Sequence, residues 1–338
     1  MSTTTSMEPR TVVVTGASAG VGRATVRAFA REGARVGLLA RETEGLHAAA
    51  REVEELGGKA LAIAVDVAEP DQVDSAAERI ERELGPIDVW VNNAMTTIFA
   101  RFADITPAEF KRATEVTYLG TVYGTMAALR RMLSRNSGHI IQVGSALAYR
   151  SIPLQSAYCG AKHAIAGFTD SLRSELIHDG RQIYLTMVQL PAMNTPQFSW
   201  CRSKMPRHPK PVPPIYPPEV AAERIVWASH RKRREVFVGR PTVVAIEANK
   251  IVPGVADYYL GRTGFDSQQT SDAAEPGRPD NLFEPVPGDF GANGIFHKEA
   301  QDTADGAWLA RHKGATAVAS AAVCGVLAFA SIGSHRNK

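Results

Sequence analysis

The stretch Thr11-Val12-Val13-Val14-Thr15-Gly16-Ala17-Ser18-Ala19-Gly20-Val21-Gly22 decides the fold. An apolar, β-branched run passes directly into a glycine-rich turn, which predicts a buried strand, a tight turn and the start of a helix. Such a turn lets a phosphate group approach backbone N–H groups at the positive end of the helix dipole. Glycine is needed where a Cβ would block that approach. The stretch therefore predicts a phosphate-binding turn at the first strand of an α/β domain.

The chain alternates short β-branched runs with longer helical patterns from residue 11 to about residue 238. This alternation is typical of a parallel sheet covered by helices on both faces. Right-handed crossovers between the strands would build a doubly wound, Rossmann-type α/β fold, whose ligands bind beyond the carboxyl ends of the strands. The seven predicted strands span residues 11–15, 35–40, 60–65, 87–91, 139–143, 183–189 and 235–238.

Composition excludes several other classes of protein. With 338 residues and 44% hydrophobic content, the chain buries one large core, alone or with an appendage, so it is not disordered as a whole. The formal net charge of +3 is close to neutral and predicts no nucleic-acid partner. The basic run at residues 231–234 is interpreted as a solvated helix end.

Cysteine usage and the N-terminus bear on the cellular compartment. Cys159, Cys201 and Cys324 form neither a close pair nor a metal-ligand spacing, which indicates a reducing compartment and predicts no metal site. Residues 1–10 are polar and lack an apolar segment, so they predict a loose tail and no secretory signal.

Tyr158 and Lys162 carry the strongest chemical signal. They stand four residues apart within an amphipathic pattern at residues 157–174, so a helix would put both side chains on one face. The ammonium group could then act on the phenol. A tyrosine with an ordinary pKa near 10 exchanges protons poorly at neutral pH, and lowering that pKa by roughly three units requires about 4 kcal/mol. Ser145 follows the fifth predicted strand, thirteen residues before the tyrosine.

These motifs together resemble the short-chain dehydrogenase/reductase family. The glycines at positions 16, 20 and 22 match the family pattern T-G-x-x-x-G-x-G, and Ser145, Tyr158 and Lys162 match its catalytic residues. The resemblance covers residues 11 to about 250. It implies that Tyr158 is the general acid or base and that Ser145 orients the substrate oxygen. Lys162 would act on the tyrosine and bond the nicotinamide ribose.

The resemblance also implies an NAD(P) site with some departures from the family pattern. Met95 replaces the glycine of the family's N-N-A-G, and Ala192 replaces the glycine of P-G-x-x-x-T. Asp66 matches an aspartate that contacts adenine in relatives, and a cap for a helix beginning near Asp71 is the open alternative. The implied cofactor-binding residues are Thr15, Gly16, Ser18, Gly20, Val21, Gly22, Arg41, Asp66, Val67, Asn93, Ala94, Tyr158, Lys162, Pro191 and Thr195.

Thr117 is a further departure, because many relatives have an asparagine there that anchors a proton-relay water. A threonine hydroxyl offers fewer hydrogen-bonding groups than an amide, so we expect an altered relay.

Cofactor choice depends on the end of the second strand, Leu39-Ala40-Arg41. An NAD site would carry a carboxylate there for the ribose 2′-OH. Arg41 offers a planar fork for a 2′-phosphate instead, so the sequence favours NADP(H) over NAD(H). Glu42 remains the candidate for an NAD site, and Ala19 stands where the family often has a basic residue.

One segment within the catalytic domain of residues 11–250 and two segments after it have their own predictions. Residues 191–218 are rich in proline and match the family's substrate lid, with a stiff packed loop as the alternative. Residues 251–313 are predicted to form a loop-rich extension. Residues 314–333 carry no charge and are long enough for a helix that spans a bilayer. A buried soluble helix would use the same residues, so membrane anchoring stays open.

The resemblance implies an oxidoreductase that interconverts a ketone or aldehyde and an alcohol. We expect a small, hydrophobic substrate, a homo-oligomer, and a location on the cytoplasmic side, free or anchored by residues 314–333. Three alternatives remain. A catalytically weak NADP(H)-binding sensor is motivated by Thr117 and Met95. An epimerase or dehydratase would have the spacing T-G-x-x-G-x-x-G, which this chain lacks. A membrane scaffold would depend on the C-terminal segment.

Overall fold

A computed structural model describes residues 9–301 of the chain. Its centre is a seven-stranded sheet in which every adjacent pair of strands is parallel. The predicted doubly wound sheet is confirmed, and no predicted strand end differs from the observed one by more than two residues. The strands are β1 (Thr11–Thr15), β2 (Arg35–Ala40), β3 (Lys59–Ala64), β4 (Ile87–Asn92), β5 (Gly138–Ser145), β6 (Ile183–Leu190) and β7 (Glu235–Phe237).

The order of these strands across the sheet is β7-β6-β5-β4-β1-β2-β3. The chain runs outward from β1 in one direction and then returns to continue from β4 in the other. Crossover connections on the two sides of this reversal leave a crevice beyond the carboxyl ends of β1 and β4. The glycine turn follows β1, and Asn93 follows β4, so both predicted motifs border that crevice.

Helices cover both faces of the sheet. One buried apolar cluster joins β1 and β2 to the first, second and eighth helices through residues such as Phe29, Leu46 and Ile225. The other joins the opposite face to the third and fifth helices through Ile80 and Met132. The helices are α1 (Gly20–Ala30), α2 (Thr43–Glu55), α3 (Pro70–Leu84), α4 (Pro107–Thr114), α5 (Gly120–Arg135), α6 (Ser156–His178), α7 (Gln197–Trp200), α8 (Pro218–Ser229), α9 (Arg240–Ile251) and α10 (Pro253–Thr263).

Local sequence explains where several helices begin. Thr106 accepts a hydrogen bond from the N–H of Glu109, whose side chain bonds back to the Thr106 N–H, so a capping box starts α4. A π-helical turn, Glu115–Leu119, joins α4 to α5. The predicted amphipathic helix at residues 157–174 is observed as α6, which begins one residue earlier and ends four residues later.

The proline-rich segment at residues 191–218 contains only elements of two to four residues before α8 begins. Its two-residue strands at Ala192–Met193 and Ile215–Tyr216 pair with each other, and Arg202–Ser203 pairs with Ile98–Phe99. The strand Arg207–Pro209 pairs antiparallel with Gln269–Ala273. The segment therefore packs against the domain and is held partly by the chain that follows α10.

Beyond α10, residues 264–301 are largely irregular but well packed. Leu282, Ala292 and Phe296 are buried against the catalytic domain. Within residues 9–301, no helix combines the length and the hydrophobicity needed to cross a bilayer. The predicted helix at residues 314–333 and most of the predicted N-terminal tail lie outside the described residues.

Candidate active site

The glycine turn has the shape that a phosphate group requires. Gly16 and Gly20 have φ angles of +67° and +58°, in the left-handed region that favours glycine. A Cβ on Gly22 would lie 2.0 Å from the Gly16 carbonyl oxygen, so the turn can close onto α1 only with glycine there. No side chain caps α1 at its N-cap, Ala19. The helix therefore begins without a side-chain acceptor at the end where an anion would bind.

Thr15 and Asn93 tie the ends of β1 and β4 together. The Thr15 hydroxyl oxygen accepts hydrogen bonds from the N–H groups of Asn93 at 2.9 Å and Ala94 at 3.0 Å. The Asn93 amide nitrogen donates to the carbonyl oxygens of Thr15 at 2.9 Å and Gly16 at 3.2 Å. Thr15 thus stabilises the turn through its bonds to the loop after β4. Neither Thr15 nor Gly22 lines the cavity described below.

Ser145 and Tyr158 meet at the carboxyl end of β5. Both side chains line the cavity described below, with the Ser145 hydroxyl group on the side of the phenol. The Ser145 oxygen also accepts from the N–H of Leu147 at 3.1 Å, which fixes the serine as the cap of a short 3₁₀ turn. Burial raises the pKa of Tyr158 above its ordinary value, and the Ser145 hydroxyl group opposes that rise. Burial of the phenol therefore opposes the pKa decrease that catalysis at neutral pH requires.

Lys162 lies one helical turn after Tyr158 and is 3% exposed. Its Nζ atom donates to the Val143 carbonyl at 2.6 Å and lies 5.5 Å from the centre of the Tyr158 ring. Burial lowers the pKa of Lys162 to about 8. The ammonium group is held on the same side of the helix as the phenol, as the i, i+4 spacing predicted.

A cavity of about 460 Å³ connects the glycine turn to these three residues. Of the predicted cofactor-binding and catalytic residues, all except Thr15 and Gly22 line it. They are Gly16, Ser18, Gly20, Val21, Arg41, Asp66, Val67, Asn93, Ala94, Ser145, Tyr158, Lys162, Pro191 and Thr195.

Arg41 and Glu42 follow β2 at one end of the cavity and make different hydrogen bonds. The carboxylate of Glu42 accepts hydrogen bonds from the N–H groups of Glu44 at 2.6 Å and Gly45 at 2.5 Å, so it caps α2. Arg41 lines the cavity, and its guanidinium donates to the carbonyls of Asn281 and Phe283. Both residues line the cavity, but the Glu42 carboxylate is committed to the start of α2.

Asp66 also lines this end of the cavity. Its carboxylate accepts from the N–H of Ala68 at 3.0 Å and pairs with Arg112. The N-cap of α3 is Glu69, so the alternative that Asp66 caps this helix is wrong.

Thr117 is fully buried, and its hydroxyl group is already bonded. It donates to the carbonyl of Thr96 at 2.9 Å and accepts from the Thr96 N–H at 3.0 Å. A hydroxyl that donates its one proton to a backbone carbonyl has little left for a relay water. Thr117 therefore acts as a link between two backbone segments.

Sequence reasoning missed one side of the cavity completely. Five residues of the C-terminal extension line it, namely Asn281, Pro285, Val286, Gly288 and Phe290. Their only sequence signal is a concentration of proline and glycine after residue 284, which predicts irregular backbone and does not indicate a binding role.

Comparisons with known proteins identify relatives of this chain. A family model of short chain dehydrogenases matches residues 10–205. The chain is 31% identical over 282 residues to the uncharacterized oxidoreductase YxnA of Bacillus subtilis, covering 82% of this chain and 79% of that protein. It is 35% identical over 193 residues to the 3-dehydrosphinganine reductase of Danio rerio, covering 56% of this chain and 58% of that protein.

A solved structure extends the comparison to the fold. A metagenomic short-chain oxidoreductase in complex with NADP matches with a TM-score of 0.58 and 26% identity, over 68% of this chain and 96% of that one. The chain belongs to the short-chain dehydrogenase/reductase family of oxidoreductases.

Proposed function

We propose that the protein interconverts a ketone or aldehyde and an alcohol with an NAD(P)(H) cofactor, and that Tyr158 is the general acid/base. The observation that carries the proposal is that Ser145, Tyr158 and buried Lys162 line one cavity together with the glycine turn. A substrate oxygen at these two hydroxyl groups would be held where a proton can reach it.

The dinucleotide, when bound, supplies or takes up the hydride. Tyr158 would donate its proton to the substrate oxygen during reduction and accept it back during oxidation. Ser145 would hold that oxygen through its hydroxyl group, as a donor positioned before the reaction begins. The Lys162 ammonium would stabilise the phenolate that proton donation leaves, and its burial strengthens that interaction because the local dielectric is low.

We further propose that the cofactor is NADP(H). The left-handed glycines and the start of α1, which no side chain caps, suit a pyrophosphate, and the Gly20 N–H there donates to the Gly291 carbonyl at 3.1 Å. Arg41 lines the cavity at the end of β2, and the Glu42 carboxylate, the candidate for an NAD(H) site, also lines it but is occupied by the N–H groups of α2. The related metagenomic oxidoreductase was solved in complex with NADP, which supports the same choice.

We propose a hydrophobic alcohol or carbonyl compound as the substrate. The walls beyond Tyr158 are predominantly apolar and contain few charged groups. They include Leu147, Ile152, Met193, Phe198, Trp200 and Val212. Pockets of this kind bind mainly by removing apolar surface from water, and the catalytic hydroxyl groups would fix the orientation of the reacting oxygen.

The test is the consumption of NADPH and NADH by the purified protein across a graded panel of ketones and aldehydes, from small and polar to lipid-like. Tyr158→Phe should reduce turnover at least 100-fold while the variant still binds NADPH. Tyr258→Phe is the matched control, because Tyr258 is 78% exposed on α10, and it should retain full activity. A panel in which only small polar carbonyls react would contradict the hydrophobic substrate.

A catalytically weak, NADP(H)-binding sensor is the second candidate, and the bonding of Thr117 favours it. Because the Thr117 hydroxyl is used by the backbone of Thr96, a relay water would have to find other partners. This candidate predicts tight NADPH binding with no turnover that depends on Tyr158. The panel described above separates the two candidates, since only the enzyme loses activity in Tyr158→Phe.

A further inference from the structure

Residues 280–294, which we name the strap, run along one side of the cavity. The strap begins beside the proline-rich segment, where the N–H of Asn281 donates to the Trp200 carbonyl at 2.9 Å. It ends beside the loop after β6, where the N–H of Gly294 donates to the Asn194 carbonyl at 3.1 Å. The chain between these two points faces both the glycine turn and the catalytic residues across the same cavity.

Buried side chains anchor the strap near both ends. Leu282 is fully buried in an apolar cluster with Ile98 and Ala157, the residue before Tyr158. Ala292 is 2% exposed and packs against Ala24 of α1. Both anchors exclude water from their apolar contacts, which favours the attached state of the strap. The strap therefore belongs to the folded domain and is not a loosely attached tail.

The strap contacts the two groups that are predicted to bind the cofactor phosphates. The N–H of Gly20, at the start of α1, donates to the Gly291 carbonyl at 3.1 Å. The guanidinium of Arg41 donates to the Phe283 carbonyl at 2.8 Å and to the Asn281 carbonyl at 2.6 Å. Arginine has five N–H donors, so these two bonds orient the group and leave further donors for a phosphate.

The middle of the strap leaves room for a ligand. About 460 Å³ remains between the strap and the opposite wall, although Pro285, Val286 and Phe290 line the cavity. Phe290 packs edge-on against Trp200 with ring centres 4.5 Å apart, which closes the strap against the proline-rich segment. A Cβ on Gly294 would lie 2.5 Å from the Thr195 carbonyl oxygen, so the close approach at this end needs glycine.

We propose that the strap is the outer wall of the dinucleotide site, that it positions Arg41 toward the cofactor 2′-phosphate, and that it must open for the cofactor to enter and leave. This inference rests on the proposed NADP(H)-dependent function. It assigns a binding role to residues 280–294, none of which belongs to the segment that the family model matches.

The first test measures how fast NADPH and NADH leave the full-length protein, by displacement in a stopped-flow fluorimeter. Leu282→Ala removes an anchor, and Gly294→Ala forces the strap away from Thr195. Each substitution should increase the NADPH release rate at least tenfold. Each should also weaken NADPH binding more than NADH binding, because Arg41 loses its orientation. Ile295→Ala is the matched control, since this neighbouring side chain is 63% exposed, and its release rate should stay within twofold of the wild type.

The second test uses only the wild-type protein, so it does not depend on whether a variant folds. Hydrogen exchange is measured by mass spectrometry with and without NADPH, and the cofactor should slow exchange in residues 280–294. Faster exchange there on adding NADPH would mean that the strap is displaced from a site it had blocked, and would overturn the proposal. Hydrogen exchange in residues 280–294 that NADPH leaves unchanged would also overturn the proposal. Equal NADPH release rates from Leu282→Ala and Ile295→Ala would do the same. A wild-type protein that binds neither NADPH nor NADH would instead refute the proposed function itself.

Discussion

Thr117 and Thr96 are joined by a reciprocal pair of hydrogen bonds. The Thr117 hydroxyl group donates to the Thr96 carbonyl at 2.9 Å, and its oxygen accepts from the Thr96 N–H at 3.0 Å. Both residues are buried, with Thr117 on the π-helical turn before α5 and Thr96 on the loop after β4. The link fixes the loop that carries Asn93, Ala94 and Met95 along the cavity wall. Its primary role is therefore structural.

Thr117→Val is expected to destabilise the protein by about 1–3 kcal/mol, because it leaves a buried N–H and a buried carbonyl without partners. Thr117→Ser keeps the hydroxyl group and should recover most of that loss. Denaturant unfolding of the three proteins measures the difference. We expect kcat of Thr117→Val to fall far less than that of Tyr158→Phe. A loss of kcat greater than 100-fold with unchanged stability would mean that Thr117 does take part in proton transfer.

Gly22→Ala is expected to disturb the phosphate-binding turn directly. The added Cβ would lie 2.0 Å from the Gly16 carbonyl oxygen, which is backbone and cannot rotate away. We expect a loss of about 1–3 kcal/mol in unfolding free energy and at least tenfold weaker NADPH binding, measured by unfolding and by fluorescence titration.

Gly167→Ala provides the control for this substitution. Gly167 lies in α6 with no atom within 4 Å of the position that a Cβ would occupy. Alanine there should stabilise the helix by about 0.5–1 kcal/mol and leave NADPH binding unchanged. Equal NADPH affinities of Gly22→Ala and Gly167→Ala would contradict the proposed place of the pyrophosphate.

The parts of this protein that could be predicted from its sequence are those with local patterns. Apolar β-branched runs indicated all seven strands, and the four-residue spacing of Tyr158 and Lys162 put both on one face of α6. Because the carboxyl ends of parallel strands meet at one edge of a sheet, Ser145 could also be assigned to the same crevice. The sequence motif did not separate residues that line the cavity from residues that support its walls. Thr15 and Gly22 were predicted to bind the cofactor, but neither lines the cavity.

The strap could not be predicted because its contacts are distant in sequence and use the backbone. Arg41 donates to the carbonyl of Asn281, which is 240 residues away, and a carbonyl group is present on every residue. No side-chain pattern specifies such a partner. In the same way, the pairing of Asp66 with Arg112 depends on the close approach of α4 to the end of β3, which only the three-dimensional packing determines.

Replacing the buried Lys162 should stabilise the protein while it abolishes activity. Burial lowers the lysine pKa to about 8 from an ordinary value near 10.5, so the unfolded chain binds this proton more tightly than the folded protein does. This difference lowers the unfolding free energy by its full amount below pH 8, and the loss disappears as the pH rises toward 10.5. Lys162→Met should therefore remove a penalty of about 3 kcal/mol at pH 7, of which the unpaired Val143 carbonyl takes back about 1 kcal/mol, so the unfolding free energy should rise by about 2 kcal/mol.

Lys111→Met is the control, because the Lys111 side chain is 77% exposed and should give no comparable gain. Denaturant unfolding at pH 7 and at pH 10 measures both effects, with the gain for Lys162→Met smaller at the higher pH. A gain for Lys162→Met that does not shrink between pH 7 and pH 10 would show that it does not come from the buried charge.

The adjacent residues Arg41 and Glu42 provide a matched pair for cofactor preference. Arg41 faces the cavity, and Glu42 caps α2 through the N–H groups of Glu44 and Gly45. Arg41→Ala should weaken NADPH binding about 10- to 100-fold, since a charge-assisted hydrogen bond contributes about 1.5–3 kcal/mol, and should change NADH binding much less. Glu42→Ala should lower stability by about 1 kcal/mol, as loss of an N-cap does, and keep the ratio of the two affinities. Fluorescence titration of each variant with NADPH and NADH measures both affinities. An NADH affinity that collapses in Glu42→Ala, with NADPH binding intact in Arg41→Ala, would instead identify an NAD-dependent enzyme.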